Sequence, residues 1–452
     1  MSTKLFRAGA ATSNITPALG TSINGNMRNV IATHIHDELH ARCLVLDDGN
    51  QHLALVIVDS CMIPAGVLDA AKHLAHGHTG LAPDQMLMAA THTHSAPAVA
   101  GVFQTDADPV YAEFLALRIA DGLRRAMNNL APARIGWAVG REPTQVFNRR
   151  WRMQPGAIPA DPFGATTDQV RMNPPRGSSD LLEPAGPIDP EVSVLAVTAA
   201  DGRPLAMLAN YSLHYVGGVG AGHVSADYFG MFAARVQRIL GAADADPPMV
   251  SMMSNGTSGD INNINFRRSS AQQPPYEQMR LVAHRVCDEA VRVWNLIDFR
   301  DHVSLDVRSA RLRLGRRLPA ADEVARAKFV LSQGEGAELT TREEIYARET
   351  VLLADQPPVH ETTVQAMRIG ELGIAALPCE VFVETGLAIK AESPLQSTFT
   401  IELANDYAGY LPTVEHHRLG GYETWRARSS FLEIDAEPRM RQQVVKLLGD
   451  LA

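Results

Sequence analysis

Short apolar runs alternate along this chain with longer segments whose apolar residues recur at helical spacing. Runs of the first kind span Arg42 to Asp47, Leu53 to Asp59 and Met86 to Ala90, and such runs are typical of strands. Segments of the second kind, Pro64 to Ala75 and Asp108 to Asn128, are typical of amphipathic helices. The order of strand, helix and strand predicts an α/β fold in which mixed sheets are covered by helices.

The alternation continues towards the C-terminus. Further strands are predicted at Ala133 to Val139, Glu191 to Ala199, Pro204 to Tyr211, Met249 to Met253, Val303 to Leu314, Glu361 to Ile369, Glu371 to Leu377 and Thr398 to Leu403. Further helices are predicted at Tyr228 to Leu240, Pro275 to Leu296, Pro319 to Leu331 and Thr341 to Leu353. A last helix is predicted after Glu380 and ends at Glu392. Because the pattern changes near residue 301, we predict an α/β core over residues 1–300 and an α/β subdomain over residues 301–452 that completes the same unit.

Two segments lack this periodicity. Residues 8–30 are rich in Gly, Ala, Ser, Thr and Asn, which predicts loops and turns after a short first strand. Residues 142–189 are rich in Arg, Pro, Gly and Asn, and a loop of this length inside a compact chain is usually functional. Its run from Asn148 to Arg152 offers fixed cations that would hold an anionic or carbonyl group. A charged surface loop is the alternative.

Composition places the chain among soluble globular proteins. Of its 452 residues 46% are hydrophobic and 20% are charged, and the net charge is -9 with Lys and Arg dispersed, so we expect no nucleic-acid partner. The first seven residues lack the apolar region of a signal peptide, and no stretch is long enough to cross a bilayer. Free buried thiols, and hence a reducing compartment, are predicted by four dispersed cysteines in apolar surroundings, Cys43, Cys61, Cys287 and Cys379. We therefore expect a cytoplasmic protein without stable membrane insertion.

The strand Met86 to Ala90 leads into a pair of histidines. It is followed by Thr-His-Thr-His-Ser-Ala-Pro, and residues two apart on a strand face the same side, so His92 and His94 should emerge together. Pro97 ends the strand and opens a loop, which is where open α/β sheets keep their chemistry. Two imidazoles at this point form one corner of a metal site. The alternative is a pair of hydrogen-bonded histidines near a surface.

Two further strands are followed by polar groups in the same way. His214 comes just after the strand Pro204 to Tyr211. The strand Met249 to Met253 leads into a loop of Ser, Asn, Gly, Thr and Asp residues. In this loop, Asp260 is suited to orient a ligand histidine or to hold a second ion.

Two other candidate positions have a structural alternative. Glu380 follows the predicted strand Glu371 to Leu377, but a carboxylate there is often only a helix N-terminal charge. His36 and Asp37 lie in the cluster His-Ile-His-Asp-Glu-Leu-His that starts at His34. They would support a metal ligand or face a substrate, although a solvated polar strand has the same pattern.

Taken in chain order, these motifs resemble the neutral ceramidase family of zinc amidohydrolases. The motifs are Thr-His-Thr-His-Ser-Ala-Pro, an Asn-x-x-x-His strand exit, a Ser-Asn…Gly-Asp-x-Asn loop, Leu-Pro-x-Glu and Asn-x-Tyr-x-x-Tyr. Further matches are His36-Asp37, Asn148-Arg149, Asp189-Pro190-Glu191-Val192 and Tyr422-Glu423. Each motif is short, but the ordered set covers residues 8 to 435.

The resemblance implies an amide hydrolase with one catalytic Zn²⁺ ion. Its ligands would be His92, His214, Glu380 and Tyr410, which leaves room for a water or a substrate oxygen. The other implied site residues are His94 as acid and base facing the substrate, Arg149 at the developing oxyanion, Asp260 as support beside the metal, and Asn262 and Tyr422.

The chain departs from the family pattern where the family has its proposed nucleophile. The family sequence Gly-Asp-x-Ser-Pro-Asn is replaced by the run Gly259 to Asn263, in which Asn262 stands at the position of the serine. The hydroxyls of Ser254, Thr257 and Ser258 are near in sequence. Attack by zinc-bound water is then the only economical mechanism, with Asn262 donating a hydrogen bond to the substrate.

These observations predict a zinc-dependent hydrolase that cleaves the amide C–N bond of a small soluble N-acyl substrate. The family continues into a C-terminal immunoglobulin-like domain and is secreted or membrane-associated, whereas this chain ends at Ala452. A lipid amide in a bilayer is therefore not the expected substrate, and a part in lipid metabolism is left open. The alternatives are a metal-dependent lyase or isomerase, an esterase acting on a small polar substrate, and an inactive binding protein. A homo-oligomer is compatible with the sequence.

Overall fold

The computed structural model describes residues 5–269, 273–334 and 338–452. Within these ranges the strands are β1 Arg7–Asn14, β2 Ser22–Ile23, β3 Val30–Ile31, β4 His34–Ile35, β5 His40–Asp47, β6 His52–Val58, β7 Met86–Ala90, β8 Ala131–Arg141, β9 Phe147–Asn148, β10 Arg150–Met153, β11 Val170–Met172, β12 Leu181–Pro184, β13 Glu191–Ala199, β14 Pro204–Tyr211, β15 His223–Val224, β16 Val250–Asn255, β17 Ile261–Asn262, β18 Leu305–Gly315, β19 Val359–Ile369, β20 Leu372–Ala376, β21 Glu380–Val381, β22 Ser397–Ile401 and β23 Tyr410–Leu411. The helices are α1 Ala65–Thr79, α2 Pro109–Asn128, α3 Asp227–Ile239, α4 Glu277–Trp294, α5 Ala321–Ser332, α6 Arg342–Ala354, α7 Val383–Glu392, α8 Val414–Leu419 and α9 Ala436–Gly449.

Two sheets packed face to face form the centre of the protein. The larger has eight strands in the order β16-β14-β13-β8-β1-β5-β6-β7, and the smaller has four in the order β18-β19-β20-β22. Helices α1 to α4 cover one face of the larger sheet, and the smaller sheet covers its other face. Helix α9 packs on the outer face of the smaller sheet. These four layers confirm the predicted α/β class with mixed sheets covered by helices.

Most predicted elements occur near their expected positions. Strands β7, β13 and β14 have the predicted bounds, and the hairpin turn between β5 and β6 falls after Asp47, which pairs with His52. Residues 142–189 contain the short strands β9 to β12, of which β10 is the centre of a three-stranded sheet. Helices α8 and α9 lie where we predicted no helix. The regular elements were therefore easier to predict than the irregular connections.

The prediction of loops and turns from residue 8 is wrong for its first part. Residues 8–14 belong to β1, which pairs with β5 along its whole length inside the larger sheet. The small residues there serve close packing: a Cβ on Gly9 would lie 2.2 Å from the carbonyl oxygen of Ala126 in α2. The glycine that suggested a turn is instead where a helix lies directly on a strand.

The smaller sheet belongs entirely to residues 301–452. Its Leu305 and Met367 share a buried cluster with Leu46 and Leu55 of the larger sheet. The two predicted segments are thus joined through one core, and the division at residue 300 stays a prediction.

The four cysteines are buried and unpaired, which confirms the predicted free thiols. In the described ranges no helix combines the length and the apolar character needed to cross a membrane. Residues 1–4 of the segment that lacks a signal-peptide pattern lie outside the described residues. The cytoplasmic location stays a prediction.

Candidate metal centre

The two histidines after β7 reach the interior through an irregular turn. β7 ends at Ala90, and His92 has a left-handed backbone with a φ of 72°, so the strand alternation that we expected to align His92 with His94 does not extend to them. The turn is fixed by a hydrogen bond from the His92 amide to the carbonyl oxygen of Ser60. The two imidazoles nevertheless meet, with their Nε2 atoms 3.2 Å apart.

Backbone carbonyl groups orient His92 and His214. Nδ1 of His92 lies 2.7 Å from the carbonyl oxygen of Cys61, and Nδ1 of His214 lies 3.0 Å from that of Ser258. Each contact requires a proton on Nδ1, because a carbonyl oxygen only accepts. In the neutral rings Nε2 therefore carries the lone pair, and both rings are set to bind a metal through Nε2.

Three electron-rich atoms from distant parts of the chain converge in the interior. Nε2 of His92 is 3.1 Å from Nε2 of His214 and 3.2 Å from Oε2 of Glu380, and the last two atoms are 3.7 Å apart. Oε1 of Glu380 accepts a hydrogen bond from Tyr407 at 3.1 Å, whereas Oε2 is buried and has no hydrogen-bond partner among the described residues. Three lone pairs this close repel one another unless a proton or a cation lies between them. Two imidazoles and one carboxylate are a donor set typical of zinc.

The surroundings shift the pKa values of the clustered imidazoles in opposite directions. Burial is the largest influence on the pKa of His92 and lowers it, but the carboxylate of Glu380 and other neighbours raise it well above its usual value. Burial lowers the pKa of His94 and of His214 well below the usual value, and the positive charges of His92 and Arg149 lower both further. The carboxylate of Glu380 thus favours a positive charge at this point, which a divalent cation would supply.

Tyr410 and Arg149 lie next to Glu380. Strands β21 and β23 run parallel with Tyr410 opposite Glu380, and Nη2 of Arg149 donates to the Tyr410 hydroxyl at 3.1 Å. Nε of Arg149 donates to one oxygen of Glu423 at 2.9 Å, and the other oxygen accepts from Arg150. Burial, and then the charge of Glu380, raise the pKa of Tyr410 well above its usual value. The guanidinium of Arg149 is therefore a fixed, buried cation at the edge of the cluster.

His94 is held between two neighbours. Its ring stacks on Tyr215 with centroids 3.6 Å apart and an interplanar angle of 15°. On Gly25, which has a φ of 90°, a Cβ would lie only 2.5 Å from the His94 ring. Glycine is needed there both for the backbone conformation and for the close approach.

Comparison with solved structures identifies the architecture. A neutral ceramidase from Pseudomonas aeruginosa matches with a TM-score of 0.73 over 99% of this chain and 74% of that chain, at 19% sequence identity. This chain has a neutral ceramidase-like fold. A ceramidase complexed with C2 matches with a TM-score of 0.69 over 99% of this chain and 75% of that chain, at 18% identity. No protein-family model and no curated protein matches the sequence. The resemblance seen in the sequence motifs is thus confirmed for the fold.

Asp260 links segments of the neutral ceramidase-like fold near the candidate metal centre. Its carboxylate accepts hydrogen bonds from Nδ2 of Asn148 at 2.7 Å and from the amide of Val383 at 2.9 Å, and its carbonyl oxygen accepts from the amide of Arg149. It therefore ties the loop after β16 to the segment that carries Arg149 and to the start of α7. This arrangement is that of a positioning residue.

Asn262 is fixed by its own hydrogen bonds. Its Nδ2 donates to Oδ1 of Asn173 at 2.6 Å, and its Oδ1 accepts from the amide of Ile264 at 2.8 Å. The nearby serine, Ser258, donates its hydroxyl proton to Glu402 at 2.6 Å. The position that the sequence motif assigns to the ceramidase hydroxyl thus holds an amide, with one of its two N–H groups already bonded.

Tyr422 borders a cavity of about 260 Å³. Its ring lies 5.9 Å from that of Tyr410, and the cavity wall includes Asn173, which bonds Asn262. The wall also contains charged, aromatic and apolar residues, among them Asp168, Arg171, Arg342, Trp425, Ile158, Val170 and Met172. A larger groove of about 680 Å³ along β9 and the loop before α4 contains none of the predicted site residues.

Glu402 is a buried acid that the sequence reasoning missed. Its oxygens accept from Oγ of Ser258 at 2.6 Å and from the amide of Val381 at 2.7 Å. It thus holds Ser258, whose carbonyl oxygen orients His214. Burial raises the pKa of Glu402 to about 8. A signal was present, because Glu402 is the one charged residue in the apolar run Thr398 to Leu403.

Proposed function

We propose that this protein is a zinc-dependent hydrolase that cleaves the amide bond of a small soluble N-acyl substrate. The observation that carries the proposal is the convergence of His92, His214 and Glu380, whose ligand atoms lie within 4.8 Å of one another in a buried site. The unpartnered oxygen of Glu380 and the two oriented Nε2 atoms fit a divalent cation. Tyr410, which lies opposite Glu380, is the proposed fourth ligand.

A bound Zn²⁺ ion would supply Lewis acidity that polarises a carbonyl group and lowers the pKa of water to about 7. The protein residues supply the rest of the chemistry. Arg149 is held in place by Glu423, so its guanidinium is ready to stabilise the negative charge that develops on the carbonyl oxygen. That charge would otherwise be unfavourable in a buried site.

His94 is the proposed acid and base. Its lowered pKa keeps the ring neutral near pH 7, so Nε2 can accept the proton of the attacking water and return it to the leaving nitrogen. Stacking on Tyr215 holds the ring in one orientation. Because the side chain does not need to reorient, the same nitrogen serves both steps.

Water is the proposed nucleophile because the chain offers no free hydroxyl at the family position. Asn262 stands there, and the hydroxyl of Ser258 is bonded to Glu402. The remaining N–H group of Asn262 is suited to donate to a substrate oxygen. Asp260 is the proposed positioning residue, because it joins the loop after β16 to the segment that carries Arg149 and to the start of α7.

The cavity beside Tyr422 supports a small polar substrate. Two arginines and one aspartate stand in its wall together with two aromatic rings. Charged groups are costly to cover with a long alkyl chain, so a short N-acyl compound with a polar or anionic end fits better than a membrane lipid.

The experiment that tests this function measures zinc and turnover in one preparation. We expect about one tightly bound zinc ion per chain at this centre, hydrolysis of members of a panel of short N-acyl amides, and loss of both with a chelator or in His92→Ala. In water labelled with ¹⁸O, the acid product should gain one labelled oxygen. Full turnover by metal-free protein would refute the metal role, and a product without labelled oxygen would favour the lyase or isomerase.

A further inference from the structure

A second group of three histidines lies at the protein surface, away from the centre described above. His34 and His36 are exposed and His223 is half-buried, and one ring nitrogen of each lies within 4.8 Å of those of the other two. The proposed catalytic mechanism uses none of them.

The backbone brings the three imidazoles together by register. β4 and β15 pair in parallel with His34 directly opposite His223, so the rings of these two residues meet, with centroids 4.5 Å apart. His36 lies two residues beyond His34, and its amide donates to the carbonyl oxygen of Val224, so the extended pairing continues past the strand. Residues two apart in extended chain face the same side, which places His36 with the other two.

Tyr276 orients two of the three rings. It stacks on His36 with centroids 3.6 Å apart and an interplanar angle of 10°, and its hydroxyl is hydrogen-bonded to Nδ1 of His223. Nε2 is therefore the nitrogen of His223 that remains for a metal. Tyr276 itself has a left-handed backbone with a φ of 68° and donates its amide proton to the carbonyl oxygen of Gly218, a contact that fixes its position in the loop.

The neighbouring acid is committed elsewhere. Asp37 accepts hydrogen bonds from Oγ of Ser225 at 2.6 Å and from the amide of Ala226 at 2.8 Å, at the start of α3. The available donors are thus three imidazole nitrogens without a carboxylate. This set selects borderline transition-metal ions over Ca²⁺ and Mg²⁺, which need oxygen ligands.

We propose that His34, His36 and His223 form a second metal site, for a divalent transition-metal ion of the Zn²⁺, Ni²⁺ or Cu²⁺ class, with Tyr276 as the positioning residue. A metal there would join the segment that carries His34 to the loop that follows His214. That segment also contains Gly25, which packs on His94. The proposal is independent of the proposed hydrolase function.

The test is a titration of the 452-residue protein with Zn²⁺ against a competing chelating indicator. We expect the wild type to bind one more zinc ion than the double variant His34→Ala/His36→Ala. Both positions are exposed, so the substitutions should leave the fold intact, and circular dichroism checks this. Tyr276→Phe should keep the site but weaken it by about 10- to 100-fold. His78→Ala removes an exposed histidine of α1 outside the cluster and should change nothing.

A second readout uses Cu²⁺ in place of Zn²⁺. The electron paramagnetic resonance spectrum of the surface-bound ion should show coupling to several nitrogens in the wild type and lose it in the double variant. Equal zinc uptake by the wild type and the double variant would overturn the proposal, and so would an equal loss in His78→Ala. The difference in zinc uptake between the wild type and the double variant does not depend on whether the buried centre binds zinc. Failure of the hydrolase function and failure of this site are therefore distinguishable.

Discussion

Replacing Glu423 with Gln should strongly destabilise the protein. Both carboxylate oxygens of Glu423 accept from buried guanidinium groups, that of Arg149 at 2.9 Å and that of Arg150. All three side chains are at least nine-tenths buried. Removing the charge would leave two buried cations whose remaining hydrogen-bond partners among the described residues are a hydroxyl, an imidazole and backbone carbonyl groups. Breaking a buried ion pair by removing one partner costs about 3–5 kcal/mol, and here one carboxylate serves two cations, so we expect the upper half of that range.

The assay is urea denaturation of zinc-free Glu423→Gln and wild type at pH 7. The matched control is Glu361→Gln, because Glu361 pairs with Arg313 at the surface, where both side chains are more than half exposed, and such pairs contribute about 0–1 kcal/mol. The double variant Glu423→Gln/Arg150→Met should recover part of the loss, since it removes one of the unpaired cations.

The same substitution tests the role of Arg149 in the proposed reaction. Without Glu423 the guanidinium is no longer fixed, and we expect kcat to fall by ~100-fold, as for loss of one oxyanion donor, with a smaller change in KM. A loss of less than about 1 kcal/mol in the free energy of unfolding, equal to that of the surface control, would refute the argument from buried charge.

Three further predictions follow from individual contacts. Asn262→Ser supplies the hydroxyl of the family pattern but removes the bond to Asn173, so we expect about 1 kcal/mol less stability and no rise in kcat; a rise would show that the serine, and not water, is the preferred nucleophile. The pKa of Glu402 is raised from 4.5 to about 8 in the folded state, so the folded state binds the proton more tightly than the unfolded state and stability falls as the pH rises from 4.5 towards 8. Urea denaturation of zinc-free protein at pH 5 and pH 8 should show this fall, and Glu402→Gln should reduce it; an unchanged pH dependence in the variant would contradict the assignment. Tyr410→Phe should weaken zinc binding, as measured by metal analysis, whereas His94→Gln should retain zinc and lower kcat in steady-state kinetics. Loss of zinc in His94→Gln with normal zinc binding in Tyr410→Phe would make His94 the fourth ligand.

The positions of the strand ends could be predicted from local sequence, and three of the four proposed ligands come just after such ends. His92, His214 and Glu380 each follow a strand whose apolar run is visible in the sequence. Their convergence could not be derived locally, because it depends on which strands are neighbours in the two sheets. The ordered motifs supplied that information through the resemblance to the ceramidases, and in the structure one polar atom of each of the three side chains lies within 4.8 Å of the other two.

Other features were beyond local reasoning for specific physical reasons. The sequence of β1 predicts a loop because small residues suit both turns and close packing, and only the position of α2 distinguishes the two. The turn at His92 is left-handed, which no pattern of apolar residues predicts for a histidine. Glu402 and Tyr407 act on the centre through side-chain contacts that exist only in the folded chain.

The centre draws its ligands from both predicted segments, and this bears on how the fold holds it. His92 and His214 follow strands β7 and β14 of the larger sheet, whereas Glu380 and Tyr410 lie in the short strands β21 and β23 of the second segment. The backbone joins these parts at the site itself, since the amide of Gly259 donates to the carbonyl oxygen of Val381 and the amide of Glu402 donates to that of Asn255. A Cβ on Gly259 would lie 2.6 Å from the carbonyl oxygen of Glu380, so the loop after β16 approaches Glu380 as closely as glycine allows. The distance between imidazoles and carboxylate is therefore set by direct backbone contact between the two segments, and a metal ion would bind to a site that the packed chain has already formed.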